Sequence, residues 1–185
     1  MSKVLVPLAQ GCEELEATTI IDLLRRGQIE VISAGLEREL SPVKAARGTT
    51  LLPDTTLDEA LKSDYDMIAL PGGLPGADHL NDDERIVHLV QRMAAADKYT
   101  CALCAAPRVL ARAGVLEGRR ATSYPGTLDK MDIPGMTYTG DGVTVDGRII
   151  TGRGPGTAID FSLALIAALG GEALKASVEQ PLLRG

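Results

Sequence analysis

Tyr99-Thr-Cys-Ala-Leu-Cys-Ala-Ala-Pro-Arg-Val109 is the stretch whose reading decides the fold. Tyr99–Leu103 is apolar, of strand length, and reads as a buried strand. Residues 106–113 read as a helix, with Pro107 tolerated in its first turn and Gly114 as its stop. Too little chain separates the two for a loop, so the turn at Cys104 must be sharp, and the small residues Ala102, Ala105 and Ala106 allow it. A strand, a tight turn presenting a nucleophile and a helix make a nucleophile elbow. A thiol there meets the unpaired N–H groups and positive dipole end of the helix, which favour an anion. The dipole is worth about 0.3–1 kcal/mol, up to ~2 when partly buried, and one pKa unit is about 1.36 kcal/mol. The helix alone therefore lowers a thiol by roughly one unit, and full ionisation needs further donors. A buried structural cysteine fits the same stretch.

Outward from the elbow, strand-length apolar runs alternate with helical patterns. Lys3–Leu8 is an apolar run of strand length, slightly awkward as a central strand because of Pro7, where a bulge or an end is expected. Glu13–Arg26 is a helix with acids first, an apolar stripe through Leu15, Thr19, Ile20, Leu23 and Leu24, bases last, and Gly27 as its stop. Residues 29–33 form the next strand, which completes a βαβ unit with a right-handed crossover. The polar stretch 38–52 is expected to hold short antiparallel pieces. Thr56 and Glu59 form a capping box for a short helix. Residues 65–70 are a buried strand closed by Pro71-Gly72-Gly73, residues 82–96 a helix, and 119–123 a strand. Residues 142–151 form a hairpin on Asp146-Gly147. Gly152–Gly156 is a tight loop, 157–169 the longest apolar helix, stopped by Gly170-Gly171, and 172–185 a short helix and tail.

This alternation predicts an α/β fold, a flavodoxin-like doubly wound sheet, mostly parallel, sandwiched by helices. The chain of 185 residues suits one domain spanning 1–185. Ligands of such sheets bind outside the carboxyl ends of the strands. Ala9–Glu16, Gly72–Gly76, Cys104–Pro107 and Ser123–Pro125 are thus expected to face one crevice, with Gly152–Gly156 near it.

Composition narrows the function. A net charge of −6 and 3% aromatic residues argue against a nucleic-acid partner. Three cysteines are too few for a disulfide framework and fit reduced thiols in a cytoplasmic protein. The N-terminal apolar run is too short for a signal-peptide core, and no stretch approaches a membrane-spanning length, so no membrane partner is expected. No Cys/His cluster has metal-ligand spacing, so no metal site is predicted. His79 and His88 read as surface residues. Gly152–Gly156 breaks the G-x-G-x-x-G pattern at Thr157 and no P-loop is present, so no nucleotide site is expected.

Cys104 is the one nucleophile at a strand end. Glu13, Glu14 and Glu16 are the candidate carboxyls, and Glu16 lies on the buried side of its helix. A carboxylate beside a thiolate is a like-charge pair, in which one member takes a proton. A protonated Glu16 donating to the sulfur, then acting as general acid/base, is the coherent arrangement. A first-turn acid that only stabilises the helix dipole is the simpler alternative. Gly72-Gly73 would leave N–H groups uncovered beside the elbow and, with that of Ala105, bind an oxyanion. A simple turn explains the same residues.

Gly11-Cys-Glu-Glu-Leu-Glu16 leading into Asp22–Gly27, then Tyr65–Gly73, Cys104-Ala-Ala-Pro107, Leu128-Asp-Lys-Met131 and Arg153-Gly-Pro-Gly-Thr157 resemble the ThiJ/PfpI superfamily. Within it the nearest branch is that of the parkinsonism-associated deglycase and its bacterial YajL-like relatives. The match runs in order over nearly the whole chain. The resemblance implies a homodimer without cofactor and Cys104 as a low-pKa, oxidisable thiol. It implies Glu16 as the carboxyl bonded to the sulfur, and Gly73 and Ala105 as backbone donors. It sets Arg47 and Arg153 beside the pocket and dimer contact, and Pro155 and Pro181 at the mouth. One position departs: Tyr124 stands where many members carry His. Without a Cys–His pair, peptidase or amidase chemistry loses its usual base, whereas thiolate addition to an aldehyde needs only Cys104 and Glu16. Two functions follow as expectations. One is a glyoxalase III or deglycase type enzyme acting on methylglyoxal, glyoxal or their early adducts on amines and thiols. The other is a redox-responsive protective or chaperone-like protein whose Cys104 is oxidised to sulfinic acid.

Overall fold

A computed structural model describes residues 2–184. Its strands are β1 (Lys3–Leu8), β2 (Glu30–Gly35), β3 (Val43–Lys44), β4 (Thr50–Leu51), β5 (Thr55–Thr56), β6 (Met67–Leu70), β7 (Tyr99–Leu103), β8 (Arg120–Ala121), β9 (Thr137–Tyr138), β10 (Val143–Asp146) and β11 (Ile149–Gly152). Its helices are α1 (Glu14–Arg26), α2 (Leu57–Ala60), α3 (Gly76–Asp82), α4 (Glu84–Ala95), α5 (Pro107–Arg112) and α6 (Ala158–Glu179). Seven strands form one sheet in the order β10-β11-β7-β6-β1-β2-β5, parallel except for the β10–β11 hairpin. This is the flavodoxin-like, mostly parallel sandwich expected.

Strand periodicity builds the two layers. In β1, Val4, Val6 and Leu8 face the core shared with α1 and α6, while Leu5 joins the core under α2–α5. In β6, Met67 and Ala69 take the first side, Ile68 and Leu70 the second. Successive side chains point to opposite faces and both faces are covered, so these strands read as unbroken apolar runs. Glu13 caps α1, its carboxylate accepting from Leu15 N at 2.7 Å. Thr56 caps α2 through Glu59 N.

Four expectations need correction. β1 runs straight through Pro7, which pairs in register with Ala34 of β2. Pairing with β6 involves only Val4 and Leu5, so the missing N–H of Pro7 disrupts no ladder there. The strand expected at 119–123 shrinks to β8, which pairs with β9 outside the main sheet. A helix, α3, precedes α4, and Asp83 separates them by capping α4 through Arg85 N. Finally, α6 is long and apolar enough to cross a membrane by length and composition alone. It reaches that length because two helices abut across a kink at Gly171 (φ 83°), near the stop read from the sequence. Phe161, Leu163, Leu165 and Ile166 of its first half are buried in the core shared with α1.

Candidate active site at the Cys104 elbow

The chain leaves β7 and enters α5 through Cys104, whose φ is 63°. A left-handed conformation at a non-glycine residue costs about 1–3 kcal/mol and persists only where its surroundings impose it. Here they do. Cys104 N–H donates to Gly152 O at 2.9 Å on one side, and Tyr124 N–H donates to Cys104 O at 2.8 Å on the other. The Ser123–Pro125 segment therefore reaches the crevice although β8 does not belong to the main sheet. Gly152–Gly156 lies beside the elbow as expected.

On the β6 side the packing leaves no slack. A Cβ on Gly72 would stand 2.7 Å from Cys104 Cβ and 2.9 Å from Glu16 Oε2. Gly73 adopts φ 89°, and a Cβ on it would stand 2.3 Å from Glu13 N. Only glycines permit this approach of the β6 turn to the start of α1. Glu16 is completely buried. Its Oε2 accepts from Gly72 N at 2.8 Å, while Oε1 is buried without a hydrogen-bond partner. The Gly72 N–H is thus committed to the carboxyl and is not the open donor that the sequence suggested. The N–H groups of Gly73 and Ala105 remain, and both lower the proton affinity of the sulfur.

The electrostatics follow from burial. Desolvation pushes the Glu16 carboxyl up to about 7, against the Gly72 N–H and Cys104, which favour its anion. Burial, then the charge and hydrogen bonding of the Glu16 carboxylate, push the Cys104 thiol up to about 12. Because two anions cannot share this dry site, burial and the neighbouring carboxylate act against the low value that the resemblance implies, and the Gly73 and Ala105 N–H groups act for it. A thiolate forms at ordinary pH only when the proton rests on Glu16. The pair, not the sulfur alone, is the titrating unit, and burial together with the like charge holds its protons more tightly than either group would hold one in water.

The remaining candidates scatter. Tyr124 is exposed, its ring lying over Gly154. With Pro125, Arg153, Pro155, Gly156 and Thr157 it lines a mostly apolar cavity of about 310 Å³. Arg47 is exposed on the loop beyond β3, and its N–H donates to the Glu14 carboxylate at 3.0 Å. Glu14 therefore ties the 47–49 loop to α1, a role that the sequence did not disclose. Pro181 is exposed in the turn after α6. Among the described residues, neither Arg47 nor Pro181 hydrogen-bonds to any group of the elbow. His79 and His88 are exposed. Cys12 and Cys101 are completely buried, and burial raises both thiols, Cys12 to about 12. Among the described residues, no group of three or more His, Cys, Asp or Glu side chains could hold a metal ion.

The model of the DJ-1/PfpI family matches residues 2–168. The chain is 41% identical over 165 residues to Protein DJ-1 homolog B of Arabidopsis thaliana, covering 89% of this chain. It spans less than half the length of that protein and of homolog A from the same plant, 37% and 46%. It is 35% identical over 173 residues to Glutathione-independent glyoxalase DJR-1.2 of Caenorhabditis elegans, covering 94% of this chain and 91% of the relative. The crystal structure of Drosophila melanogaster DJ-1beta superposes with a TM-score of 0.93 at 36% identity, covering all of both chains. Toxoplasma gondii DJ-1, in a structure described as oxidized, superposes equally well at 0.93 and 35% identity, again over all of both chains.

Proposed function

The chain belongs to the DJ-1/PfpI family, and from that premise we propose that it is a cofactor-independent enzyme of the glyoxalase III or deglycase type. Its substrates are methylglyoxal, glyoxal or their early adducts on amines and thiols. The observation that carries this reading is the buried Glu16 carboxyl, raised to about 7 and packed against a thiol on a left-handed elbow. A glyoxalase relative that needs no glutathione supports it.

In the proposed reaction Cys104 Sγ attacks the aldehyde carbon of methylglyoxal, and the carbonyl oxygen takes the proton from Glu16. A hemithioacetal results. The Glu16 carboxylate then removes the proton from that carbon and returns it to the neighbouring carbonyl carbon, while the hemithioacetal hydroxyl proton passes to the neighbouring carbonyl oxygen. The first carbon becomes a thioester and the second an alcohol, so one is oxidised as the other is reduced and no external oxidant enters. Water cleaves the S–C bond and releases lactate and the thiol. The N–H groups of Gly73 and Ala105 hold negative charge at the sulfur.

The test is lactate formation from methylglyoxal by pure protein without glutathione. Turnover by wild type and none by Cys104→Ser is the expected result. Equal turnover by both proteins would end the proposal. The chain is further proposed to act as one domain and as a homodimer, with Arg47 and Pro181 near a partner's pocket. The exposed Leu15 on α1 and Leu52 beyond β4 support such a contact. A monomer mass by sedimentation at micromolar concentration would refute it.

The oxidised relative favours a second reading, in which peroxide converts Cys104 to a sulfinate. Mass spectrometry is then expected to find two oxygen atoms added at Cys104 and none at the buried Cys101. Ready conversion to the sulfonate would count against a held sulfinate.

A further inference from the structure

The cavity between Tyr124 and the 153–157 turn has no part in the reaction above, yet it abuts the elbow. Its two walls are the segments that bond to the main chain of Cys104: Tyr124, whose N–H donates to Cys104 O, and the turn directly after Gly152, whose carbonyl accepts from Cys104 N–H. Tyr124 is half exposed, at 53%, although its backbone is fixed. The ring stays at the surface because it lies on Gly154, where an added Cβ would stand 3.3 Å from Tyr124 Cδ2. Pro125 and Pro155 extend the apolar surface to a cavity of about 310 Å³. At its edge stands the exposed Arg153 guanidinium, a planar cation able to stack on a π-face.

A methyl group has little to gain from such a shelf, whereas a flat ring can cover Tyr124, Pro125 and Pro155 together. We propose that this shelf is a substrate subsite, with Tyr124 as its specificity-determining residue, and that it takes the aromatic substituent of an aryl 2-oxoaldehyde while the aldehyde carbon sits at Cys104. The proposal rests on the reading of Cys104 as a nucleophile toward aldehydes. The subsite itself stands on the geometry of the second flank.

Two measurements separate these layers. The first compares kcat/KM for phenylglyoxal and methylglyoxal. Wild type is expected to favour the aryl substrate by about tenfold or more, within the range that apolar pockets achieve for substituents of different size. Tyr124→Phe keeps that ratio, since the ring is retained, and Tyr124→Ala reduces it about tenfold. The second needs no turnover: phenylglyoxylate and pyruvate are compared as protectants of Cys104 against iodoacetamide, with the modified residue read by mass spectrometry. Phenylglyoxylate is expected to protect wild type and Tyr124→Phe at about tenfold lower concentration than pyruvate, and to lose that advantage in Tyr124→Ala. If no aldehyde is turned over but this protection pattern holds, the subsite stands and the proposed reaction falls. If the two acids protect alike, or the advantage survives in Tyr124→Ala, the subsite is overturned whatever the protein does to methylglyoxal.

Discussion

On the β6 side of Cys104 a single methyl group has no room: a Cβ on Gly72 or Gly73 would stand 2.7 Å or 2.3 Å from its nearest neighbour. On the β11 side Gly156 has nothing within 4 Å of where its Cβ would be. The same sulfur therefore has one flank of interlocked backbone around a buried acid and one open apolar flank. The closed flank excludes water and so sets proton affinities, because an ion there loses its hydration. The open flank sets no proton affinity, but it meets whatever is attached to the reacting carbon. Chemistry and selectivity thus fall to different segments, which respond separately to substitution.

The largest expected effect tests whether the closed flank does chemistry. Glu16→Gln should lower kcat/KM for methylglyoxal by roughly 10²–10⁴-fold, the usual worth of a general acid/base. The wild-type profile should rise with pH through about 7 as the pair gives up its first proton. In Glu16→Gln that limb should move to higher pH, because a buried thiol must then ionise alone. Glu13→Gln and Glu14→Gln should cost only a few tenths of a kcal/mol of dipole interaction. If all three Gln variants behave alike, the closed flank holds no base.

Next in size is a contrast in stability. Gly73→Ala combines a left-handed φ with a backbone clash and should cost at least ~3 kcal/mol, a fall in Tm of roughly 6–12 °C for a chain of this length. Gly156→Ala should stay within about 0.5 kcal/mol. Similar melting temperatures for the two would dissolve the distinction between the flanks.

A third test reads the buried charge through folding. In the unfolded chain Glu16 ionises near 4.5, whereas in the fold it holds its proton to about 7. Between these values the folded state binds more protons, so the Glu16 contribution to stability falls as pH rises from about 4.5 to 7 and is constant above. Wild type should therefore lose up to about 3 kcal/mol relative to Glu16→Gln across that window. Urea unfolding of both proteins at pH 4 and pH 8 measures the change. A difference that does not vary with pH would mean that Glu16 ionises as a solvated carboxylate does.

The smallest effect concerns strain at the elbow itself. Cys104→Gly should be more stable than Cys104→Ala by about 1 kcal/mol, since only glycine adopts φ 63° without steric cost. The reverse order would show that the elbow is unstrained.

Much of this arrangement is legible in the chain. The first-turn acids, last-turn bases and Gly27 stop of α1, the Thr56 cap and the Asp146-Gly147 turn are local signals, and each lies where the pattern puts it. Leu15 of the expected stripe is instead exposed, and the Glu59 carboxylate accepts from Lys62 rather than closing a capping box. The elbow is legible for the same reason, since a strand and a helix collide around one residue. What escapes depends on distant neighbours. β8 looks like a main-sheet strand because nothing in residues 119–123 says that β11 already occupies the place beside β7. α3 carries only Ala77 and Leu80 as buried apolar side chains, too few for a period. The thiol at the elbow suggests a low proton affinity until the depth of burial of Glu16 is known, and burial is a property of the assembled layers. For Arg47 and Pro181 only the resemblance speaks, and among the described residues no hydrogen bond ties either to the elbow.

The origin of the pieces around the sulfur has a kinetic consequence. Glu16 stands in the first turn of α1, Gly72 and Gly73 leave β6, Cys104 leaves β7, and Gly152 closes β11. No two of these lie in one hairpin, so none of the pairings forms through local contacts. Parallel sheets built from distant segments close large loops before the resulting contacts compensate, and they form slowly. A growing chain therefore emerges with Cys104 as an ordinary solvated thiol, and the paired acid and sulfur exist only after α1 and the ends of β6 and β7 have come together. During refolding, far-ultraviolet signal from α1 and α4 should recover before the unusual pH dependence of alkylation at Cys104 does, which makes that dependence a clock for the assembly of the site.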